Sequence, residues 1–300
     1  MWKQNERIDR RLFLGTLSAS VALGELAKES RADRGQPSFQ ISLNESSCDR
    51  SLTKGAIDHL SLARIARNEF EIGAVEYVSR YFKKDFTEEY LTEMNRRSAE
   101  HDVLQLLIVV EGEGKIGDKN ADNREKALDN HRKWVRAAKA LGCHSIQVDP
   151  TGPADRDKQL ERTADSLLPL VEYAAEHKIN ILLGQRGGPS CEGPWLGELV
   201  HRVGRENCGF MPRFAGFGSG DRYAGMQQLA PLAKGVSASS ADFDEQGNEK
   251  HTDFHRMMRL VVASGYRGYV GIEYGGEQLE EREGIRKTTE LLTRVRNTLS

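Results

Sequence analysis

ADNREKALDNHRKWVRAAKALGCHSIQVD, residues 121–149, carries a helix, a stop signal and a strand in one continuous run. Trp134, Val135, Ala138 and Leu141 recur at helical spacing among charged residues, which predicts an amphipathic helix over 121–141. Gly142 stands where a helix C-terminus needs a left-handed residue. The run at 145–149 is short and apolar on both faces, as a parallel strand buried between two layers should be.

The same unit repeats outward in both directions. Strand-like runs fall at 39–43, 73–78, 103–110, 145–149, 180–184, 208–212, 234–238 and 269–274. Amphipathic segments lie between them at 58–70, 87–101, 121–141, 157–177, 193–203, 252–263 and 280–299, with a weaker one at 222–232. Asp58, Thr87 and Thr252 are placed to cap helix N-termini, and Gly265 repeats the role of Gly142. Eight strands alternating with eight helices mean a parallel sheet, and eight units are what a closed (β/α)₈ TIM barrel requires. An open doubly wound sheet would show a glycine-rich phosphate loop after its first strand, whereas Leu43-Asn44-Glu45-Ser46-Ser47 follows here. The expected organisation is a single barrel over 38–300.

Residues 1–37 stay outside that barrel. Lys3, Arg7, Arg10 and Arg11 precede a moderately apolar stretch to Leu26, an order that resembles a twin-arginine export signal, though Glu25 interrupts it and no A-x-A cleavage site follows. Export to the periplasm or cell envelope is the expectation, with a cytoplasmic protein as the alternative. No apolar run is long enough to span a bilayer. The 300 residues carry a net charge of −2, which gives no reason to expect nucleic acid or an anionic membrane as partner. The four cysteines show no C-x-x-C spacing. Cys143 and Cys208 read as buried thiols. A Cys48–Cys191 disulfide is conceivable in an oxidising compartment, but free thiols are expected.

Chemistry on this fold sits at the C-terminal ends of the strands. Those ends are read as Glu76; Glu111 with Glu113; Gln147 with Asp149; Gln185 with Arg186; Arg213; Ser237 with Ser239, and Asp242 beyond; and Glu273.

The runs Ala74-Val75-Glu76-Tyr77-Val78, Glu111-Gly112-Glu113-Gly114, Leu141-Gly142-Cys143-His144-Ser145-Ile146, Lys234-Gly235-Val236-Ser237-Ala238 and Gly271-Ile272-Glu273-Tyr274 resemble, in order and spacing, the sugar phosphate isomerase/epimerase family of the xylose isomerase-like superfamily. The likeness runs from about residue 40 to about 297. It implies a metal-dependent sugar isomerase or epimerase. A divalent cation such as manganese would sit among a Glu after strand five, an Asp after strand six, a His after strand seven and a Glu after strand eight. The two glutamates would move a proton while the metal polarises the adjacent oxygens.

Residue by residue the chain departs from that plan. The strand-five pattern Glu-Asn-His-Gly-Gly is Gly184-Gln185-Arg186-Gly187-Gly188 here. Pro-Asp-Phe-Gly-Asn is Pro212-Arg213-Phe214-Ala215-Gly216. Ser-His-Asp-Phe is Ser240-Ala241-Asp242-Phe243, and a Lys two residues before that His is Ser239. Only Glu273 remains of the four ligands. A Gln and a Trp expected after strand one correspond to Glu45 and Ser46, and an Arg and an Asn after strand four to Gln147 and Asp149.

An arginine is always protonated and cannot ligate a cation, so Arg213 in the metal's place would repel a metal and attract Glu273; Arg186 is a second candidate for that role. Losing one member of the acid/base pair alone removes a factor of about 10²–10⁴ in rate. The expectation is therefore a pseudoenzyme with no resident metal, binding a small anionic carbohydrate-type ligand or a partner. The alternative is an active isomerase or epimerase with rebuilt, metal-independent chemistry on Glu273. Glu76, Asp149, Arg186, Arg213 and Trp195 are the candidate ligand contacts. A nuclease of the same barrel type would need a zinc cluster and a basic stripe, and neither is present. A homo-oligomer is plausible by resemblance. Trp134 reads as core, His144 as structural, and His131, His177 and His201 as solvent-facing or capping.

Overall fold

The protein is described as a computed structural model covering residues 37–151, 156–218 and 220–299. The chain divides into two units, Met1–Ser38 and Phe39–Ser300, and the second of these is the barrel. The twin-arginine reading rests on residues outside the described ones.

Eight strands, β1 (Gln40–Asn44), β2 (Ala74–Val78), β3 (Leu104–Val109), β4 (Ser145–Val148), β5 (Asn180–Leu183), β6 (Cys208–Phe210), β7 (Val236–Ser240) and β8 (Tyr269–Tyr274), lie in the order β6-β5-β4-β3-β2-β1-β8-β7, and every described pairing is parallel. The ring closes between β6 and β7. Lys234 N–H donates to the Phe210 carbonyl at 3.0 Å, Ser237 N–H to Pro212 at 2.9 Å, and Phe214 N–H to Ser237 at 3.0 Å.

Eight helices cover the sheet: α1 (Leu62–Phe70), α2 (Glu88–Glu100), α3 (Ala121–Ala140), α4 (Arg156–Glu176), α5 (Gly193–Val203), α6 (Arg222–Leu229), α7 (Phe254–Ala263) and α8 (Glu281–Leu299). Their ends follow side-chain chemistry. Thr87 accepts from Tyr90 N–H at the start of α2, and Asp58 accepts from Leu60 N–H in the 3₁₀ turn that leads into α1. Asp253, not Thr252, caps α7, accepting from Arg256 N–H; the carboxylate at the neighbouring position takes the role. Gly142 and Gly265 adopt φ +71° and +90°, which a side chain would resist. A short helix, Asp49–Thr53, and 3₁₀ turns such as Ser79–Tyr81 lie outside the expected alternation.

The main core lies between strands and helices and includes Leu43, Val75, Ile108, Ile146, Leu183, Phe210 and Ile272, all fully buried. Inside the ring a smaller apolar cluster of Val78, Leu107, Val109, Leu182 and Met211 fills the barrel. It forms the floor on which polar residues of the strand ends stand. Cys48, Cys143 and Cys208 are buried and all four thiols are free. Burial pushes the Cys48 and Cys208 thiols up to about 12, so neither is a ready nucleophile. His131 is 2% exposed, and its Nδ1 meets the Ala127 carbonyl at 2.6 Å; it is packed into the helix layer rather than facing solvent.

Candidate functional site

A cavity of about 240 Å³ opens at the C-terminal end of the barrel. Val78, Val109 and Met211 contribute its apolar floor, and Arg80, Glu111, Arg186, Arg213 and Glu273 its charges; Ser46, Gln147, Gln185 and Ser237 also line it. With a water occupying roughly 30 Å³ of liquid, it holds about eight waters, the scale of a monosaccharide or a smaller polar molecule. It lies just under the common range for drug-sized ligands.

Arg213 and Glu273 face each other across the β6/β8 side of this cavity. Arg213 Nη2 lies 2.7 Å from Glu273 Oε1, and Arg213 Nε donates to Oε2 at 2.9 Å, so the pair is bidentate. Ser237 Oγ donates to the same Oε2 at 2.5 Å. Both oxygens of the carboxylate are thus engaged. The backbone holds the arginine in place: Arg213 N–H donates to Gln185 Oε1 at 2.9 Å, and Arg213 pairs with Ser237 in a β-bridge.

A second charged group spans β2, β3 and β5. Arg186 Nη1 lies 2.9 Å from Glu111 Oε1, and Arg80 Nη1 lies 2.8 Å from Glu111 Oε2. Arg80 Nη2 also holds Asp49 at 3.0 Å and the Tyr81 hydroxyl at 2.7 Å. Arg80 was not among the sequence candidates. Its signal was its place two residues after the true end of β2, which runs on to Val78; taking Glu76 as the strand end set the mouth too low in the barrel.

Glu76 stands lower, inside the ring. It is 2% exposed, does not line the cavity, and accepts from Ser42 Oγ at 2.7 Å and Asn44 Nδ2 at 3.0 Å. Burial pushes its carboxyl up to about 7, the two hydrogen bonds oppose the rise, and the Glu273 charge adds to it. Its carboxylate fills the space above Gly271.

The space beside Gly184, after β5, is taken by a neighbouring side chain. A Cβ at Gly184 would stand 2.6 Å from Gln147 Nε2 and 2.9 Å from its Cδ, so the Gln147 amide fills the room a side chain there would need. Ala241 presents its N–H to Glu249 Oε1 at 3.3 Å, and Ser239 Oγ accepts from Ala215 N–H at 2.9 Å. Trp195 is buried and donates Nε1–H to the Arg156 carbonyl at 3.3 Å; it does not reach the cavity. Asp149 Oδ1 accepts from Thr151 N–H and Oγ, and it too lies off the lining. Glu45 is fully buried and turned from the mouth, holding His59 Nδ1 at 2.6 Å and Val78 N–H at 2.9 Å, whereas Ser46 faces the cavity. Glu113 anchors a loop through Trp134 Nε1 at 2.6 Å and Lys133 Nζ at 3.0 Å.

A divalent cation held in the family's manner does not fit these residues. Of the four positions, only Glu273 offers a donor, and both its oxygens are occupied by Arg213 and Ser237. Among the described residues no group of three or more His, Cys, Asp or Glu side chains could hold a metal ion. Among them, too, no helix is long and apolar enough to cross a membrane.

Solved structures similar to the chain share the barrel. The IolI protein, solved with a bound zinc atom, is 14% identical, covers 87% of this chain and 99% of its own, and superposes with a TM-score of 0.69. The D-psicose 3-epimerase of Clostridium cellulolyticum H10, solved with D-tagatose, is 11% identical over 87% of this chain and 100% of its own, TM-score 0.70. A family 2 AP endonuclease of Brucella melitensis is 21% identical over 83% and 97%, TM-score 0.64. At these identities the likeness is one of fold. No curated protein matches the chain. The family model described as xylose isomerase-like TIM barrel matches residues 63–295, more than three quarters of the sequence, and the chain belongs to that family.

Proposed function

We propose that this barrel is a pseudoenzyme: a binding protein for a small carbohydrate-type ligand, in which metal-dependent isomerase or epimerase chemistry has been silenced. The observation that carries the reading is the bidentate Arg213–Glu273 pair, which puts a fixed positive charge against the one retained ligand carboxylate. A guanidinium gives up no proton near neutral pH, offers no lone pair and opens no coordination site. It can neutralise the carboxylate but cannot polarise a substrate oxygen as a Lewis acid does.

The acid/base arrangement points the same way. Proton transfer at a sugar carbon by two groups requires a base and an acid within reach of the reacting atom. Glu273 has both oxygens engaged. Glu76 lies below the cavity, Asp149 lies off it, and Glu111, the other lining carboxylate, is held by two arginines. What the cavity retains is a lining of hydrogen-bonding groups around a small apolar floor, the composition of a polyol-binding site. Sugar epimerases among the solved barrels of the same fold support a ligand of that class.

The test is solvent exchange. The protein is incubated in deuterated water with a panel of ketoses and their phosphates, with and without Mn²⁺, and the sugar carbons next to the carbonyl are followed by NMR. No incorporation above the uncatalysed rate is expected. Incorporation that disappears in Glu273→Gln would establish an active enzyme and overturn the proposal.

A further inference from the structure

The carboxylate of Glu111 occupies an arginine clamp, and we propose that the clamp's ligand is a sugar acid whose carboxylate takes Glu111's place. The inference rests on reading the mouth as a binding site, and it names the ligand class and the residue that competes with it.

Glu111 is gripped from two sides by guanidiniums of different elements, Arg186 after β5 and Arg80 after β2, one on each oxygen. Two arginines converging on the separate oxygens of one planar carboxylate define the geometry of a carboxylate site. The protein's own side chain fills that site. It fills it loosely: the side chains of Glu111, Arg186 and Arg80 are 22%, 33% and 43% exposed. Ion pairs this open to water are worth about 0–1 kcal/mol each, so a competing carboxylate can exchange with Glu111 at small cost. The Arg213–Glu273 pair carries a further hydrogen bond from Ser237 and a backbone-anchored arginine, so it remains closed while the outer pair opens.

Gln185 lines the cavity and is 4% exposed; its Oε1 accepts from Arg213 N–H, but its Nε2 has no hydrogen-bond partner among the described residues. That nitrogen is closed to solvent, and the amide serves the mouth through its oxygen, which fixes the backbone of Arg213. The cavity, at about 240 Å³, suits one sugar ring bearing one carboxylate. Phosphate is a poorer match, because the resident group is planar and each arginine takes a single oxygen.

The experiment is isothermal titration of the full chain with D-glucuronate, D-galacturonate and D-gluconate, with D-glucose and D-galactose as neutral counterparts, and with D-glucose 6-phosphate. At least one acid is expected to bind, with its neutral counterpart weaker by about tenfold or more. Glu111→Gln, which frees both arginines, is expected to raise the affinity for that acid by about tenfold, and Arg186→Gln to lower it by as much. Circular dichroism and thermal melting check that each variant is folded. Should Glu111→Gln fail to fold, Glu111→Asp, too short to bridge both guanidiniums, is expected to give the same rise. The proposal is overturned if no acid binds, if a neutral sugar binds as tightly as its acid, if the phosphate binds more tightly than every acid, or if the Glu111 variants leave affinity unchanged or reduced. Binding is read directly, so these outcomes are independent of the exchange test, which alone decides whether the barrel is catalytic.

Discussion

Arg213 commits two of its guanidinium nitrogens to Glu273, and that contact sets the character of the mouth. The pair is partly open to solvent, 39% for the arginine and 20% for the glutamate, so its strength is modest despite its geometry. A double-mutant cycle with Arg213→Ala and Glu273→Ala, read by urea unfolding, is expected to give a coupling of about 1 kcal/mol. A coupling of zero would mean that the bidentate geometry adds nothing to stability. Glu76 makes a different prediction. Its folded pKa is raised by burial to about 7 from 4.5. Between those values the folded state keeps a proton that the unfolded state has released. The stabilisation is therefore complete below about pH 4.5 and is lost as pH rises through about 7. Glu76→Gln should flatten that part of the stability–pH curve, removing a drop on the order of 3 kcal/mol between about pH 4.5 and pH 8. An unchanged slope would assign the pH dependence elsewhere. At this scale the sequence revealed which charged residues stand near the strand ends, because those positions can be counted from the apolar runs. Which carboxylate each arginine grips depends on three-dimensional reach, and Glu111 bridging Arg80 and Arg186 was not readable from spacing.

Among the elements, β4 and β5 show how the space beside Gly184 is filled. Their register sets Gln147 beside Leu182, and the Gln147 amide leans over Gly184. Gly184→Ala would push a methyl group into that amide, with its nearest atom 2.6 Å from the new Cβ. The obstacle is the far end of a flexible side chain, so a loss of about 1 kcal/mol is expected, and Gln147→Ala in the same chain should recover it. If the single variant melts at the parent's temperature, Gln147 moves freely and the position is not blocked. The elements were the most legible level of the chain. Residues 121–149 already show the reason: the helix pattern, the glycine stop and the two-sided apolar strand agree, and the next unit repeats them. The short helix Asp49–Thr53 and the turn Ser79–Tyr81 escaped because elements of three to five residues carry too little periodicity. Asp253 took the cap from Thr252 because two neighbouring residues were both competent and only the backbone path chooses between them.

For the whole molecule, the barrel separates what folds it from what lines its mouth. Arg213 and Glu273 line the cavity at the strand ends, apart from the apolar core between strands and helices, so substitutions there leave that core in place. This separation allows the ligand set that the family resemblance implies to be built into the mouth by design. A chain carrying Gly184→Glu, Arg213→Asp and Ala241→His together with Gln147→Ala is expected to bind Mn²⁺ with a stoichiometry of one, and the same chain with Gln147 retained is expected to bind it more weakly, as judged by metal titration. Equal affinity for the two would show that the Gln147 amide does not obstruct the rebuilt site. The central claim, a guanidinium in the place of the cation, is tested most directly on the unaltered protein by calorimetric titration with Mn²⁺. No stoichiometric binding is predicted at the barrel mouth; tight one-to-one binding that Glu273→Gln abolishes would contradict it.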